Sequence, residues 1–290
     1  MKKFLRISFC ALSICPIGMA LGQHDFSTFV TFGDSLTNND LLGIAYGNPQ
    51  DLYGEDAAEA VFSQGARGND QLDNYAVAGS MADDISRQID LYEWWQKMGM
   101  QNTATLINFE IGGNDIKDNI DDLAASPPGK NSATDEIIAG LLDTMQEDML
   151  RIYEAHPEAR FIVWTIPDVT ITPQRWGEFT RSETNNILAH MEVINRYIRS
   201  LDQYSFVIVL DLCGLFQQMV ANPPSDGTHQ LRPPPAQGDY DTMFADEIHP
   251  TAVSNAILAN AIIGKMNSKW KGAIPFYAIP ELLDLAHVAE

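Results

Sequence analysis

Four short blocks of the chain carry residue types suited to acyl transfer. Gly33-Asp34-Ser35-Leu36-Thr37 places a hydroxyl directly after an apolar run. Asn74-Tyr75-Ala76-Val77-Ala78-Gly79-Ser80 ends near a glycine whose backbone N–H could point unobstructed into a cleft. Ile111-Gly112-Gly113-Asn114-Asp115 adds a side-chain amide, and Asp246-Glu247-Ile248-His249-Pro250-Thr251 holds a carboxylate and an imidazole three residues apart. A serine hydroxyl is inert near neutral pH unless a base removes its proton, and imidazole titrates in the right range for that work. A carboxylate can fix the imidazole's tautomer and stabilise the imidazolium. Backbone and amide N–H groups are the donors that a developing oxyanion needs. Any one block is weak, since Gly-Asp-Ser is also ordinary turn chemistry. Together they supply a nucleophile, a base, an orienting acid and two kinds of oxyanion donor.

Asp226-Gly227-Thr228-His229 repeats the Asp-x-x-His spacing, and the residues downstream of each pair separate the two. His249 is succeeded by Pro250, Thr251 and an amphipathic run, so proline near the first turn launches a helix that would pin the loop. His229 is succeeded by Gln230-Leu231-Arg232 and three prolines, which cannot enter a helix. The choice falls on Asp246 and His249. His24, His156, His190 and His287 are scattered without an HExxH-like pairing, and the Asn/Asp-rich stretches 38–40 and 118–122 lack calcium-loop spacing. Neither a metal nor a cofactor is expected. Gly-x-Ser-x-Gly is also missing, which argues against the other large α/β esterase fold.

The ordered set of four blocks resembles the GDSL lipase and esterase family, also called SGNH hydrolases. The likeness runs from Phe32 to about Ala261. Gly47-Asn48-Pro49 and Tyr53-Gly54 make it look most like the secreted lipolytic branch. The resemblance implies that Ser35 is the nucleophile, His249 the base and Asp246 its orienting acid. It further implies that the N–H groups of Ser35 and Gly79 join the Asn114 amide in an oxyanion hole. The reaction implied is hydrolysis of a lipid or short-acyl ester, phospholipids included, through an acyl-serine. Carbohydrate O-acetyl esters and acyl transfer to an alcohol are alternatives served by the same residues. A non-catalytic binding protein on this fold is disfavoured because every expected position is filled.

Such a site must be held by rigid elements. Short apolar runs at 27–32, 74–78, 105–111, 160–166 and 205–210 alternate with amphipathic stretches at 83–98, 135–155, 183–201 and 251–266. This alternation predicts a three-layer α/β/α sandwich around a mainly five-stranded parallel sheet, with strands buried on both faces. Ser132 or Thr134 and Ser182 are candidate N-caps. The long loops 37–73 and 222–244 are candidates for functional segments. Tyr92, Trp94 and Trp95 read as core packing in preference to an interfacial lipid-contact patch, and Glu110 as a strand-end residue facing solvent in preference to one that tunes the site. The stretch after Gly272 reads as a surface-packed extension.

The first 22 residues show Lys2, Lys3 and Arg6 before an apolar segment interrupted by Pro16 and Gly18, then Ala20-Leu21-Gly22. This pattern predicts a cleavable signal peptide rather than a membrane anchor, leaving 23–290 as one hydrolase domain, secreted or periplasmic, with no integral membrane association. Cleavage would remove three basic residues and no acid, taking the net charge from −21 to −24, and would leave Cys213 as the one cysteine. Placed after an apolar run, Cys213 is expected to be a buried structural thiol. So acidic a chain has no basic stripe to neutralise phosphates, which argues against a nucleic-acid partner, and the small-molecule or lipid ester as substrate is what the resemblance implies.

Overall fold

The computed structural model describes residues 26, 28–38, 71–239, 241–280 and 283. The expected signal peptide, His24, Gly47-Asn48-Pro49, Tyr53-Gly54 and His287 lie outside the described residues, as does most of the loop 37–73.

Five strands form one parallel sheet: β1 (Thr28–Phe32), β2 (Gln71–Asn74), β3 (Leu106–Phe109), β4 (Arg160–Trp164) and β5 (Val207–Leu210), in the order β2-β1-β3-β4-β5. Side chains alternate between two apolar cores, as the period of two in a strand requires. Val30, Phe32, Ile107, Phe109, Phe161 and Val163 join one cluster. Phe29, Leu106, Ile162, Trp164, Ile208 and Leu210 join the other. The first cluster is closed by helices α1 (Ile85–Lys97), α2 (Gly113–Asp118), α3 (Ile120–Ala125), α4 (Ser132–Ala155) and α5 (Arg181–Ser200). The second is closed by α6 (Leu212–Ala221) and α7 (Ala252–Trp270). The result is the three-layer α/β/α sandwich. Because all five strands are parallel, the segments leaving β1 and β3 emerge at the same edge of the sheet, where open α/β sheets place their ligands.

Several boundaries differ from expectation for identifiable reasons. The second strand is Gln71–Asn74 and not 74–78. Beyond Asn74 the ladder loses a rung, because Gly33 N donates to Gln88 Oε1 at 2.9 Å, while the Asn74 side chain folds the outer edge, accepting from Ala76 N at 3.0 Å and donating to Thr37 O at 2.7 Å. Tyr75 N and Val77 N still donate to Thr31 O and Gly33 O, so the apolar run tracks β1 without regular strand geometry. Helix α4 is capped by Asn131 rather than Ser132 or Thr134, and α5 by Thr180, in a capping box with Glu183, rather than Ser182. Helix α6 is additional to the expected elements; Asp211 caps it through Gly214 N. The loop 222–244 contains two short paired strands, β6 (Arg232–Gln237) and β7 (Thr242–Phe244). Tyr92 is buried and Trp95 packs against the core, but Trp94 is 49% exposed and is not a core residue. Cys213 sits buried in α6, and burial, followed by the charges of Asp168 and Asp211, pushes its thiol up to about 12.

One buried acid in α4 makes pH matter to the fold. Asp148 is 7% exposed and its Oδ2 has no hydrogen-bond partner among the described residues. Burial raises its carboxyl to about 6 against the opposing charge of Arg151. A carboxyl whose folded-state pKa is raised supports the fold fully below its ordinary pKa, near 4, and loses that support as pH climbs through about 6. Asp148→Asn, which cannot ionise, is therefore expected to melt above the wild type at pH 8 and to lose that advantage at pH 4. A melting-temperature difference that is the same at both pH values rejects this account.

Candidate active site

The serine turn is shaped by close approach. A Cβ on Gly33 would lie 2.5 Å from the Glu110 carbonyl oxygen and nearer still to Thr37 Oγ1, so only glycine fits where β1 ends. Asp34 Oδ1 accepts from Leu36 N at 2.9 Å and Thr37 N donates to Asp34 O at 3.3 Å, which folds the turn around Ser35. Beneath it, Gln88 from α1 clamps Gly33 in both directions: Gly33 N donates to Oε1 at 2.9 Å and Nε2 donates to Gly33 O at 2.8 Å. The same Nε2 donates to Ser80 Oγ at 3.1 Å, so one buried amide ties the serine turn to the segment beyond β2.

Asp34 and Glu110 are both buried, 2% exposed each, which corrects the solvent-facing expectation for Glu110. Its Oε2 lies 3.5 Å from Asp34 N. Burial raises the Asp34 carboxyl above its ordinary range; the Leu36 N–H, the Glu110 side chain and the charges of His249 and Lys117 oppose that rise without cancelling it.

Asn114 lies in the first turn of α2, directly after β3 and a left-handed Gly112. Its Nδ2 donates to Ser80 O at 3.0 Å and to Asp34 Oδ2 at 3.3 Å, while its Oδ1 accepts from Lys117 Nζ at 2.9 Å. Gly79, at φ +82°, occupies the left-handed region that a side chain would strain. It lines a neighbouring cavity of about 370 Å³ with Val77, Gln88 and Leu91 and does not line the cavity at Ser35; the next residue, Ser80, accepts from Asn114. Among the described residues, no backbone carbonyl accepts from the N–H of Ser35 or of Gly79.

The imidazole reaches the serine from the opposite end of the sequence. His249 Nε2 is 2.9 Å from Ser35 Oγ, and its Nδ1 is 2.7 Å from Asp246 Oδ2. Asp246 Oδ1 accepts from the backbone N–H of Ile248 at 2.8 Å and of His249 at 2.7 Å. Burial alone would raise the Asp246 carboxyl, but the hydrogen bond and charge of His249, with the two backbone donors, hold it below the ordinary carboxylate range. The loop itself is pinned: Ala245 N donates to His249 O, Gln174 N to Glu247 O, and Thr251 caps α7. In the other Asp-x-x-His pair, His229 Nδ1 stands 3.4 Å from Asp226 Oδ2, and neither residue lines the cavity at Ser35.

That cavity, of about 50 Å³, is walled by Leu36, Pro167, Val169, Phe216 and Ile248, with Ser35, Asn114 and His249 facing it. Among the described residues no group of three His, Cys, Asp or Glu side chains could hold a metal ion, and no helix is long and apolar enough to cross a membrane. Sequence reasoning misses Gln88 and Lys117. Gln88 leaves a signal, being the one polar residue on the buried face formed with Ile85, Ile89 and Tyr92. Lys117 leaves none, since a lysine on a short polar helix is ordinary.

Residues 29–262 match the family model described as GDSL-like Lipase/Acylhydrolase. The fold is similar to that of the lipase Lip_vut3 from a goat rumen metagenome (13% identity, TM-score 0.55, covering 82% of this chain and 96% of that one). It is also similar to a mutant of Axe2, an acetyl-xylooligosaccharide esterase from Geobacillus stearothermophilus (14%, 0.52, 84% and 95%). A GDSL-like lipase from Parabacteroides merdae is a further neighbour (12%, 0.50, 84% and 97%). At these identities the likeness is one of fold. Comparison with curated proteins yields no sequence match.

Proposed function

Since the chain belongs to the GDSL-like lipase/acylhydrolase family and is a carboxylic ester hydrolase, we propose that its reaction runs through Ser35, His249 and Asp246. The observation that carries this reading is the unbroken chain of contacts from Ser35 Oγ through His249 to Asp246, closed at both steps within hydrogen-bond distance. His249 takes the Ser35 proton as the hydroxyl attacks the ester carbonyl. It then protonates the leaving alcohol, and afterwards activates the water that releases the acid. Asp246, kept ionised by its donors, holds Nδ1 protonated so that Nε2 faces the serine. The oxyanion is received by the N–H groups of Ser35 and Gly79 and by Asn114. For Asn114 to donate, the incoming oxygen must displace Asp34 Oδ2, whose 3.3 Å contact is the longer of its two. Asn114→Ala is expected to lower kcat by roughly 10²- to 10³-fold with the fold intact. Normal turnover in a folded variant removes Asn114 from the mechanism.

The substrate we propose is a lipid or short-acyl carboxylic ester. The apolar wall of the cavity beside Ser35, formed by Leu36, Pro167, Val169, Phe216 and Ile248, supports an acyl group packing there. With residues 1–22 acting as an export signal, the enzyme would work in the periplasm or the medium. Hydrolysis of p-nitrophenyl esters of graded acyl length, of phosphatidylcholine and of acetylated xylan tests the reading, with products followed in the presence and absence of an alcohol acceptor. Cleavage that falls steeply with acyl length supports the short-acyl form. Preferential deacetylation of xylan, or an acceptor-dependent ester product, replaces it with the O-acetyl esterase or acyltransferase reading. No turnover by folded protein refutes the catalytic assignment.

A further inference from the structure

We infer that Lys117 is a positioning residue for the reaction, setting the orientation and donor strength of the Asn114 amide; this rests on the reading of Asn114 as an oxyanion donor. The two residues face each other one turn apart on α2, with Lys117 Nζ 2.9 Å from Asn114 Oδ1. An ammonium can only donate, so this contact requires oxygen on the Lys117 side and nitrogen on the other. The remaining contacts agree, because Ser80 O and Asp34 Oδ2 can take hydrogens only from Nδ2. Rotating the amide by 180° would set its NH₂ against an ammonium and its oxygen against a carbonyl and a carboxyl. Three contacts therefore select one orientation, and the cationic one is the strongest kind.

The charge has a second effect. A cation on the amide oxygen draws density away from the nitrogen and makes Nδ2–H a better donor, as in any polarised chain of hydrogen bonds. Lys117 is well placed for this. It lines the same cavity as Ser35 and His249, and no carboxylate lies within ion-pair distance of it among the described residues. Its charge is one of those that oppose the effect of burial on Asp34, so its field reaches the floor of the site. A chain with 39 acidic and 18 basic side chains thus holds an otherwise uncommitted cation one amide away from the expected position of a developing negative charge.

The test is a cycle of four proteins, wild type, Lys117→Met, Asn114→Ala and the double variant, plus Lys117→Arg, with kcat and KM measured on p-nitrophenyl acetate and folding checked by circular dichroism. Lys117→Met is expected to lower kcat about tenfold with KM within about twofold, the pattern of an interaction exercised in the transition state. In the Asn114→Ala background it should add nothing further, and Lys117→Arg should restore most of the loss. An unchanged kcat in Lys117→Met, an equal loss in both backgrounds, or a loss confined to KM overturns the inference. An unimpaired Asn114→Ala overturns the reading of Asn114 and this inference with it. An impaired Asn114→Ala beside an unimpaired Lys117→Met overturns this inference alone.

Discussion

Ser35→Ala is expected to lower kcat on the order of 10⁵- to 10⁶-fold, leaving only what binding and the oxyanion donors supply to direct attack by water. The size comes from the chemistry: the hydroxyl that lies 2.9 Å from His249 Nε2 is the group placed to carry the acyl intermediate. Cys213 cannot replace it, being buried in α6 with its thiol pushed up to about 12. The variant should fold, since the contact described for Ser35 Oγ is to His249 Nε2, and the turn is held by Gly33, Asp34 and Gln88 instead. Two measurements check it: kcat on p-nitrophenyl acetate, and covalent labelling by a fluorophosphonate located by peptide mass spectrometry. Activity within about tenfold of wild type in the variant, or label on a residue other than Ser35, rejects the nucleophile.

The second large effect belongs to Asp246. Asp246→Asn keeps the shape of the side chain but replaces an acceptor with an amide that can put a hydrogen toward His249. The imidazole then carries its proton on Nε2 and cannot accept one from Ser35; the expected loss in kcat is about 10⁴-fold. Asp246 has two further acceptor contacts, from Ile248 N and His249 N, so part of the loss is expected to come from loosening of the loop. Asp226→Asn is the paired control, because the Asp226 and His229 pair lies off the cavity; its kcat should stay within about twofold of wild type. If Asp226→Asn is the crippled variant and Asp246→Asn is active, the assignment of base and acid is reversed.

Legible in the sequence is whatever is written locally. Each of the four blocks brings its own turn or cap: glycine at the tight approach of residue 33, glycine in the left-handed conformation at 79 and 112, and proline and threonine before α7. The strand runs are equally readable, because two buried faces demand mostly apolar residues, with Thr31 and Asn108 as the buried polar pair among them. Contacts made across the fold are not. Gln88 meets Gly33 from 55 residues away, and no spacing rule links them. Glu110 reads as a strand-end charge until the sheet packs it beside Asp34, and 74–78 reads as strand until Gln88 takes the Gly33 N–H that the ladder would use. Helices α2 and α3 are hidden for a simpler reason. At six residues each, rich in Asp and Asn, they are too short to show a period.

The contact between His249 and Ser35 spans 214 positions, and its partners are held by opposite layers of the sandwich. Ser35 rests on β1 and on Gln88 of α1 in one layer, whereas the His249 loop is anchored by β7 and α7 on the other. The reactive pair thus exists only after both layers have docked on the sheet. A half-folded chain of full length holds Ser35, Asp246 and His249 but lacks the 2.9 Å pairing of His249 with Ser35 on which the proposed reaction depends. By the same logic, ester cleavage during refolding should return no earlier than the docking of both layers.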